Sequence, residues 1–235
     1  DADVAEATAL GLPFSDGVGP GDLAPNSRYY LAMRKLMADE NLGALALRCW
    51  PELPNRFGHW PYLAMSRLAE EGGIVALEGD VYGALTCLVG QMLGLGAGYI
   101  SDWLEHDRHS ILLWHPGHAA PGMVEAPQAQ LGRHFNNNLP LVVNAPLRRE
   151  HPLTLARIWA CDGEVRIAVR EARTVAPGRE LSGVYGRVAI PDLDVHEWFC
   201  DLCQSGMPHH VTLLPGHHAR LLDRAAQLLG LRVVG

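Results

Sequence analysis

The sequence predicts an α/β region followed by a β-rich region with terminal helices, and three observations carry that reading. The first is the stretch 74–102. An apolar run at 74–77 ends on Glu78, Gly79 and Asp80 open an amphipathic segment at 81–93, and a second apolar run at 97–100 leads to Asp102. This is a strand, helix, strand pattern with a carboxylate where each strand finishes. The second is the order helix, strand, helix, strand, helix up to residue 93, which requires parallel strands and right-handed crossovers. The third is Asp162-Gly163 between two alternating runs, a strong hairpin signal. Together they predict a Rossmann-like parallel α/β domain over residues 1–95. An antiparallel β-sheet or small β-barrel domain over 96–235 follows it.

Taken in order, residues 1–25 hold Gly11, Gly17, Gly19 and Gly21 with Pro13, Pro20 and Pro25, a density that reads as linker or surface loop. Asn26 or Ser27 can cap a helix with Tyr30, Leu31, Met33, Leu36 and Met37 at helical spacing, ending near Asn41 and Gly43. A strand is expected at 44–49. Pro51 and Pro54 then make 50–57 a loop beyond that strand's end, on the rim that holds Glu78 and with Glu52 in reach of it. A helix at 60–71 stops at Gly72 and Gly73.

After Gly94 the pattern changes. A polar turn at 104–109 leads to the apolar run 111–114 with no helix between, so a hairpin is expected and a domain boundary is placed near residue 95. Residues 115–140 read mostly as loop. From 141 the chain is β-rich, with Leu153, Leu155 and Ile158 on one side of the Asp162 turn and Val165, Ile167 and Val169 on the other as apolar faces, then a strand at 184–190. The end reads helix 195–204, strand 210–214, helix 219–229 and a short strand 231–234.

Ligands in open α/β sheets collect at the carboxyl ends of strands, so Glu78 and Asp102 can converge on one site in the cleft between the two domains. Two hard oxygen ligands suit Mn²⁺ or Mg²⁺. The competing reading is that Glu78 and Asp80 only start a helix, where negative charge favours the N-terminus, and that Asp102 belongs to a polar turn.

Composition excludes several classes. The chain has 235 residues, 48% of them hydrophobic, enough for a real core. A net charge of −7 with no long basic run argues against a nucleic-acid partner. Apolar runs break well before about 18 residues, so no membrane span is expected and a cytoplasmic location is favoured. Five cysteines do not resemble a disulfide framework, and the single pair Cys200 and Cys203 reads as two small core-facing residues rather than a metal site. No GxGxxG after a strand and no GxxxxGK[ST] is present, so no nucleotide cofactor is expected.

The segments CWPEL (49–53), ALEGDVYGALT (76–86) and ISDW (100–103) resemble the L-fucose isomerase family, relatives of the L-arabinose isomerases. The phrase HPLTLARIWACDGEVRI resembles that family's carboxy-terminal β-domain. The resemblance implies that Glu78, in the EGD motif, and Asp102 are metal ligands and the acid/base pair. It also implies a third ligand, a histidine before a strand and a Gly turn, which GMPHHVTLLPG aligns with His210, His209 being the adjacent alternative. Because neighbouring strand residues point to opposite faces, one of the two should face the cleft. His115 and His118 read as structural or substrate-facing, although arabinose isomerases have an additional histidine ligand after their second acid. His217 and His218 read as surface residues at a helix start. The resemblance further implies a Mn²⁺-dependent aldose-ketose isomerase working through an enediol, a sugar substrate, a homo-oligomer, and a chain that corresponds to the carboxy-terminal portion of a longer protein. A metal-dependent hydrolase or aldolase and a non-catalytic sugar-binding relative are the alternatives.

Overall fold

The computed structural model describes residues 10–235. Part of the expected leading loop therefore lies outside the described residues; the rest leads through a 3₁₀ turn at Pro20–Asp22 into α1 (Leu23–Asp39), which begins one turn earlier than Asn26. Asn26 and Ser27 are buried inside that helix rather than capping it. Next come β1 (Leu45–Ala46), α2 (Glu52–Phe57), α3 (Tyr62–Glu70), β2 (Val75–Ala76) and α4 (Val81–Met92). The expected loop at 50–57 is thus a short helix. Pro51 is its N-cap and Pro54 lies in its first turn, where a backbone N–H has no helical partner and a proline costs little.

The β-rich part follows: β3 (Tyr99–His106), β4 (Ser110–His115), β5 (Gln130–Arg133), β6 (Pro140–Pro146), β7 (Pro152–Cys161), β8 (Glu164–Val175), β9 (Val184–Ala189), α5 (Val195–Gln204), β10 (His210–Pro215), α6 (Ala219–Leu229) and β11 (Arg232–Val233). Both central residues of the β7–β8 turn, Asp162 and Gly163, have positive φ (53° and 78°), as a type I′ hairpin needs.

Among the described residues of the first half, the strands β1 and β2 pair in parallel over two residues each, and Phe14 makes a single parallel bridge to Leu131. The other strands form one mixed sheet of nine, in the order β11-β8-β7-β10-β3-β4-β9-β6-β5. Because β8 also pairs with β9, the six strands β8, β7, β10, β3, β4 and β9 close on themselves with every neighbour antiparallel. Closure removes edges that would otherwise carry unpaired N–H and C=O groups.

The core divides accordingly. Leu153, Leu155 and Trp159 of β7 pack with Leu213, Ile111, Leu113 and Val188. Ala156 and Ile158 of the same strand, with Ile167 and Val169 across the ladder, pack instead with Leu214, Leu222 and Ala226 beneath α6. The expected single apolar face on β7 is therefore two faces, both buried, because this strand lies inside the sheet with a helix over one side. A third cluster joins Tyr30, Tyr62, Met65 and Leu77 to Ile100 and Val142, tying the first half to the sheet. On α5, Cys200 is half-buried and Cys203 exposed, so the pair does not face the core together.

Candidate metal and proton-transfer site

Four segments far apart in sequence bring the chemistry together. The first is the turn between β2 and α4. Glu78 has φ 57° and Gly79 φ 70°, so the backbone reverses in two left-handed residues, held by Gly79 N–H to Leu47 O at 2.9 Å and Asp80 N–H to Leu77 O at 2.9 Å. A left-handed glutamate costs of order 1 kcal/mol, a conformation that persists when its surroundings fix it. Asp80 then caps α4, accepting from Gly83 N–H at 2.8 Å.

The second and third segments are β3 and β10. Asp102 pairs directly with His210, so the two side chains stand on one face. Asp102 does not end its strand as expected; β3 runs on to His106. His210 Nε2 lies 3.2 Å from Asp102 Oδ1 and 3.5 Å from Glu78 Oε2, so both carboxylates meet one imidazole nitrogen. His209 precedes the strand and is exposed, and its Nε2 also reaches Asp102 Oδ1, at 3.3 Å. The alternation that should separate the two histidines does not apply, because only His210 is in the ladder.

The fourth segment is the end of β4 with the loop that follows it. His115 Nδ1 lies 3.1 Å from Pro116 O, and since a carbonyl only accepts, Nδ1 carries the proton and Nε2 is left as a lone pair. That lone pair faces Glu78 Oε1 at 3.9 Å, two acceptors with nothing between them to donate. Trp50 Nε1 donates to the same Oε1 at 2.8 Å. Trp50, rather than Glu52, is thus what the 50–57 segment contributes: Glu52 pairs with Arg48 at 2.7 Å on the surface.

The electrostatics follow from this crowding. Burial would lower the pKa of His210, but Asp102, Asp80 and Glu78 outweigh it and raise it to about 11. The His210 contact, against the opposing effect of burial, draws Glu78 below its ordinary value. Burial raises Asp102, yet His209, His210 and His115 hold it well below the usual carboxylate range. Burial lowers His115, partly opposed by Asp102. Both carboxylates are therefore charged at neutral pH, and His115 is neutral.

Glu78, Asp102 and His115 form the polar end of a cavity of about 150 Å³ walled by Trp50, Trp60, Tyr62, Trp114, His134 and Phe135. Trp60 stacks on His134 at 4.1 Å between centroids. Sequence reading missed this aromatic wall because its members come from four separate segments with no common motif.

Do these groups fit a cation? Asp102 Oδ1 and His210 Nε2 are buried and, though only 3.2 Å apart, neither makes a properly directed hydrogen bond. Buried polar atoms are rarely left so. Among the described residues, two sets of side chains have donor atoms close enough together for one ion: Glu78, His115 and His210, and Asp102, His209 and His210. Carboxylate oxygen with imidazole nitrogen is a donor set that a divalent cation can take. The residues fit a divalent cation, with His210 common to both sets.

Comparison with known proteins agrees with the resemblance read from the sequence. Residues 142–235 match the family described as L-fucose isomerase, C-terminal domain. A sulfoquinovose isomerase of Alkalicoccus urumqiensis is 28% identical over 212 residues, covering 88% of this chain and 47% of that protein. One from Priestia aryabhattai is 22% identical over 231 residues, 97% of this chain and 50% of its own length. One from Clostridium sp. (strain MSTE9) is 27% identical over 194 residues, 80% and 43% respectively. The chain spans about half the length of the curated relatives it matches.

Proposed function

We propose that this chain carries the metal centre and the proton-transfer groups of an aldose-ketose isomerase. The observation that supports this most is the pair of orphaned buried atoms, Asp102 Oδ1 and His210 Nε2, with Glu78 Oε2 beside the same nitrogen. Glu78, Asp102 and His210 would hold one divalent cation if the two acids draw together on it: His210 Nε2 lies beside each of them, while the groups already close enough for one ion are Glu78 with His115 and His210, and Asp102 with His209 and His210. When bound, Mn²⁺ or Mg²⁺ supplies Lewis-acid polarisation of the sugar carbonyl and offsets negative charge on its oxygens. The residues do the rest. Glu78 and Asp102, ionised at neutral pH, are placed to take the hydrogen from C2 of the aldose and return it to C1 as general base and general acid. The aromatic wall covers the apolar C–H faces of the sugar and keeps water from the open-chain form.

In this reading residues 1–95 contribute Glu78 and residues 96–235 contribute Asp102 and His210, the site lying between them. The partner is a small sugar, the assembly a homo-oligomer and the compartment the cytoplasm; no helix among the described residues is long and apolar enough to cross a membrane. The name of the relatives directs the first trial to sulfoquinovose, followed by L-fucose, D-arabinose and L-arabinose.

The test is Glu78→Gln, which keeps side-chain volume and so the fold. Wild-type protein with Mn²⁺ in deuterated water should form ketose and place deuterium at C2 of recovered aldose. The variant should lose at least about 100-fold in turnover, as removal of a positioned acid or base usually costs. Metal binding by wild type with neither isomerisation nor exchange of any sugar would favour a hydrolase, an aldolase or a binding role. An active variant would remove Glu78 from the chemistry.

A further inference from the structure

Asp80 is used by nothing in the reaction described above, yet its carboxylate is the most fully occupied in the site. Oδ1 accepts from Gly83 N–H at 2.8 Å and from Arg157 Nη2 at 2.9 Å; Oδ2 accepts from Arg157 Nη1 at 2.5 Å and faces His210 Nδ1 at 2.9 Å. Four donors fill the four acceptor positions that a carboxylate offers. Asp80 is therefore saturated, with no lone pair left for a cation or a substrate proton. Arg157 lies on β7, one residue past the last registered pair with β10, Thr212↔Ala156, and its side chain is only 4% exposed. Its fork closes on Asp80 in the bidentate geometry that fixes a carboxylate in plane.

Room for this arrangement is made by Gly83. A Cβ there would stand 2.4 Å from Asp80 Oδ2 and 2.8 Å from Ile100 Cδ1. The absence of a side chain at that position lets the carboxylate sit down against the first turn of α4. Thr86, one turn on, accepts from Ile158 N–H at 3.0 Å and holds the same helix to β7.

From these contacts we infer that Asp80 and Arg157 are positioning residues, a buried pair that keeps a proton of His210 on Nδ1, so that Nε2, turned toward Glu78 and Asp102, is the nitrogen that gives up its proton to a bound cation. The inference rests on the metal reading of the site but is separable from it, because it concerns which nitrogen of His210 carries hydrogen. Orienting partners of this kind generally govern ligand affinity 10- to 100-fold.

Asp80→Asn tests it with almost no change of volume. The amide has one acceptor oxygen, which the Gly83 N–H and Arg157 claim, so its NH₂ faces His210. Nδ1 must then accept, and the proton moves to Nε2, where it blocks a cation. Two readouts are made on purified protein whose folding is checked by circular dichroism. Mn²⁺ affinity comes from the electron paramagnetic resonance of the free ion, and the hydrogen-bonded Nδ1–H of His210 from long-range ¹H–¹⁵N correlation in the presence of Mg²⁺. Wild type should show the Nδ1–H resonance and bind Mn²⁺. Asp80→Asn should lose the resonance and 10- to 100-fold in affinity. Arg157→Lys, which keeps the charge but not the fork, should fall between, and Gly83→Ala should resemble Asp80→Asn because it displaces the carboxylate without changing its charge.

If Asp80→Asn keeps the Nδ1–H resonance, or binds Mn²⁺ as tightly as wild type, the positioning role is overturned. If wild type shows the resonance, Asp80→Asn abolishes it and neither binds Mn²⁺, the pair does orient His210 and the metal reading of the site is what fails. A role confined to stability would lower the melting temperature in all three variants while leaving the tautomer unchanged, and that result also overturns the inference.

Discussion

Histidine serves two opposite purposes within a few ångströms. On β10, His210 is ringed by Asp80, Asp102 and Glu78, which overcome burial and raise its pKa to about 11. After β4 and after β5, His118 and His134 are as deeply buried but have no carboxylate against them, and burial drives both down, His134 to about 4. His115 stands between: Glu78 is near at 3.9 Å, yet burial still prevails. Depth is the same in all four, so charge within contact distance decides. Strand pairing delivers the acids to His210, whereas the segments after β4 and β5 deliver carbonyls and aromatic rings to the others.

The comparison is broken most severely at Gly117, between His115 and His118. A Cβ there would lie 1.7 Å from Val143 O, a backbone atom that no rotamer change can move. Gly117→Ala should displace the loop and cost about 3 kcal/mol or more, read as a fall in melting temperature with loss of near-ultraviolet dichroism from the aromatic wall.

A pH titration sharpens it. His134 has a folded pKa below its unfolded one, so its neutral form contributes stability that is complete above about pH 6.5 and lost as pH falls toward 4. For His210 the sign is opposite: in the metal-free protein its contribution is complete below about 6.5 and lost as pH rises through about 11. Protonating His134 also removes the acceptor for Asn136 N–H, which lies 3.2 Å from its Nδ1. Chemical denaturation at pH 7 and pH 4.5 should therefore show a loss to which His134 contributes about 2 kcal/mol, by the part of its shift that falls in that range. His134→Phe, which keeps a ring against Trp60, should flatten that dependence.

The smallest expected effect lies at the meeting point of the two regions. Trp50→Phe removes the donor to Glu78 Oε1 from a half-exposed ring, and should lower kcat/KM by roughly fivefold, the worth of about one hydrogen bond.

How far the sequence reveals this depends on whether a residue's partner is local. Asp162-Gly163, α5 and α6 were legible because turn chemistry and helical spacing are settled within a few positions, and the last two helices match their expected limits. Glu78, Asp102 and His210 stood out through motifs, and the structure sets His210 beside each of the two acids, which fall in separate groups of candidate ligands. Asp80 was read as a helix start, which it is; that its other oxygen meets His210 and Arg157 depends on β7 and β10 lying next to α4. Arg157 left one legible trace, a charged residue in the middle of LTLARIWAC, where a strand buried on both faces has no solvent to receive it. The helix at Glu52–Phe57 was missed because proline was weighed as a breaker without asking whether it fell in a first turn.

The register of His210 against Asp102 carries a consequence for the order of folding. The centre joins side chains as much as 132 positions apart, Glu78 and His210, through strands β3 and β10, whose pairing is one side of the closed ring of six. Loop closure over such distances is slow and comes late. A cation thus finds no assembled cradle on the unfolded or half-folded chain and cannot act as a template for the fold. It acts afterwards, as a clasp: bound to the finished protein alone, it slows opening and leaves the rate of closing almost untouched.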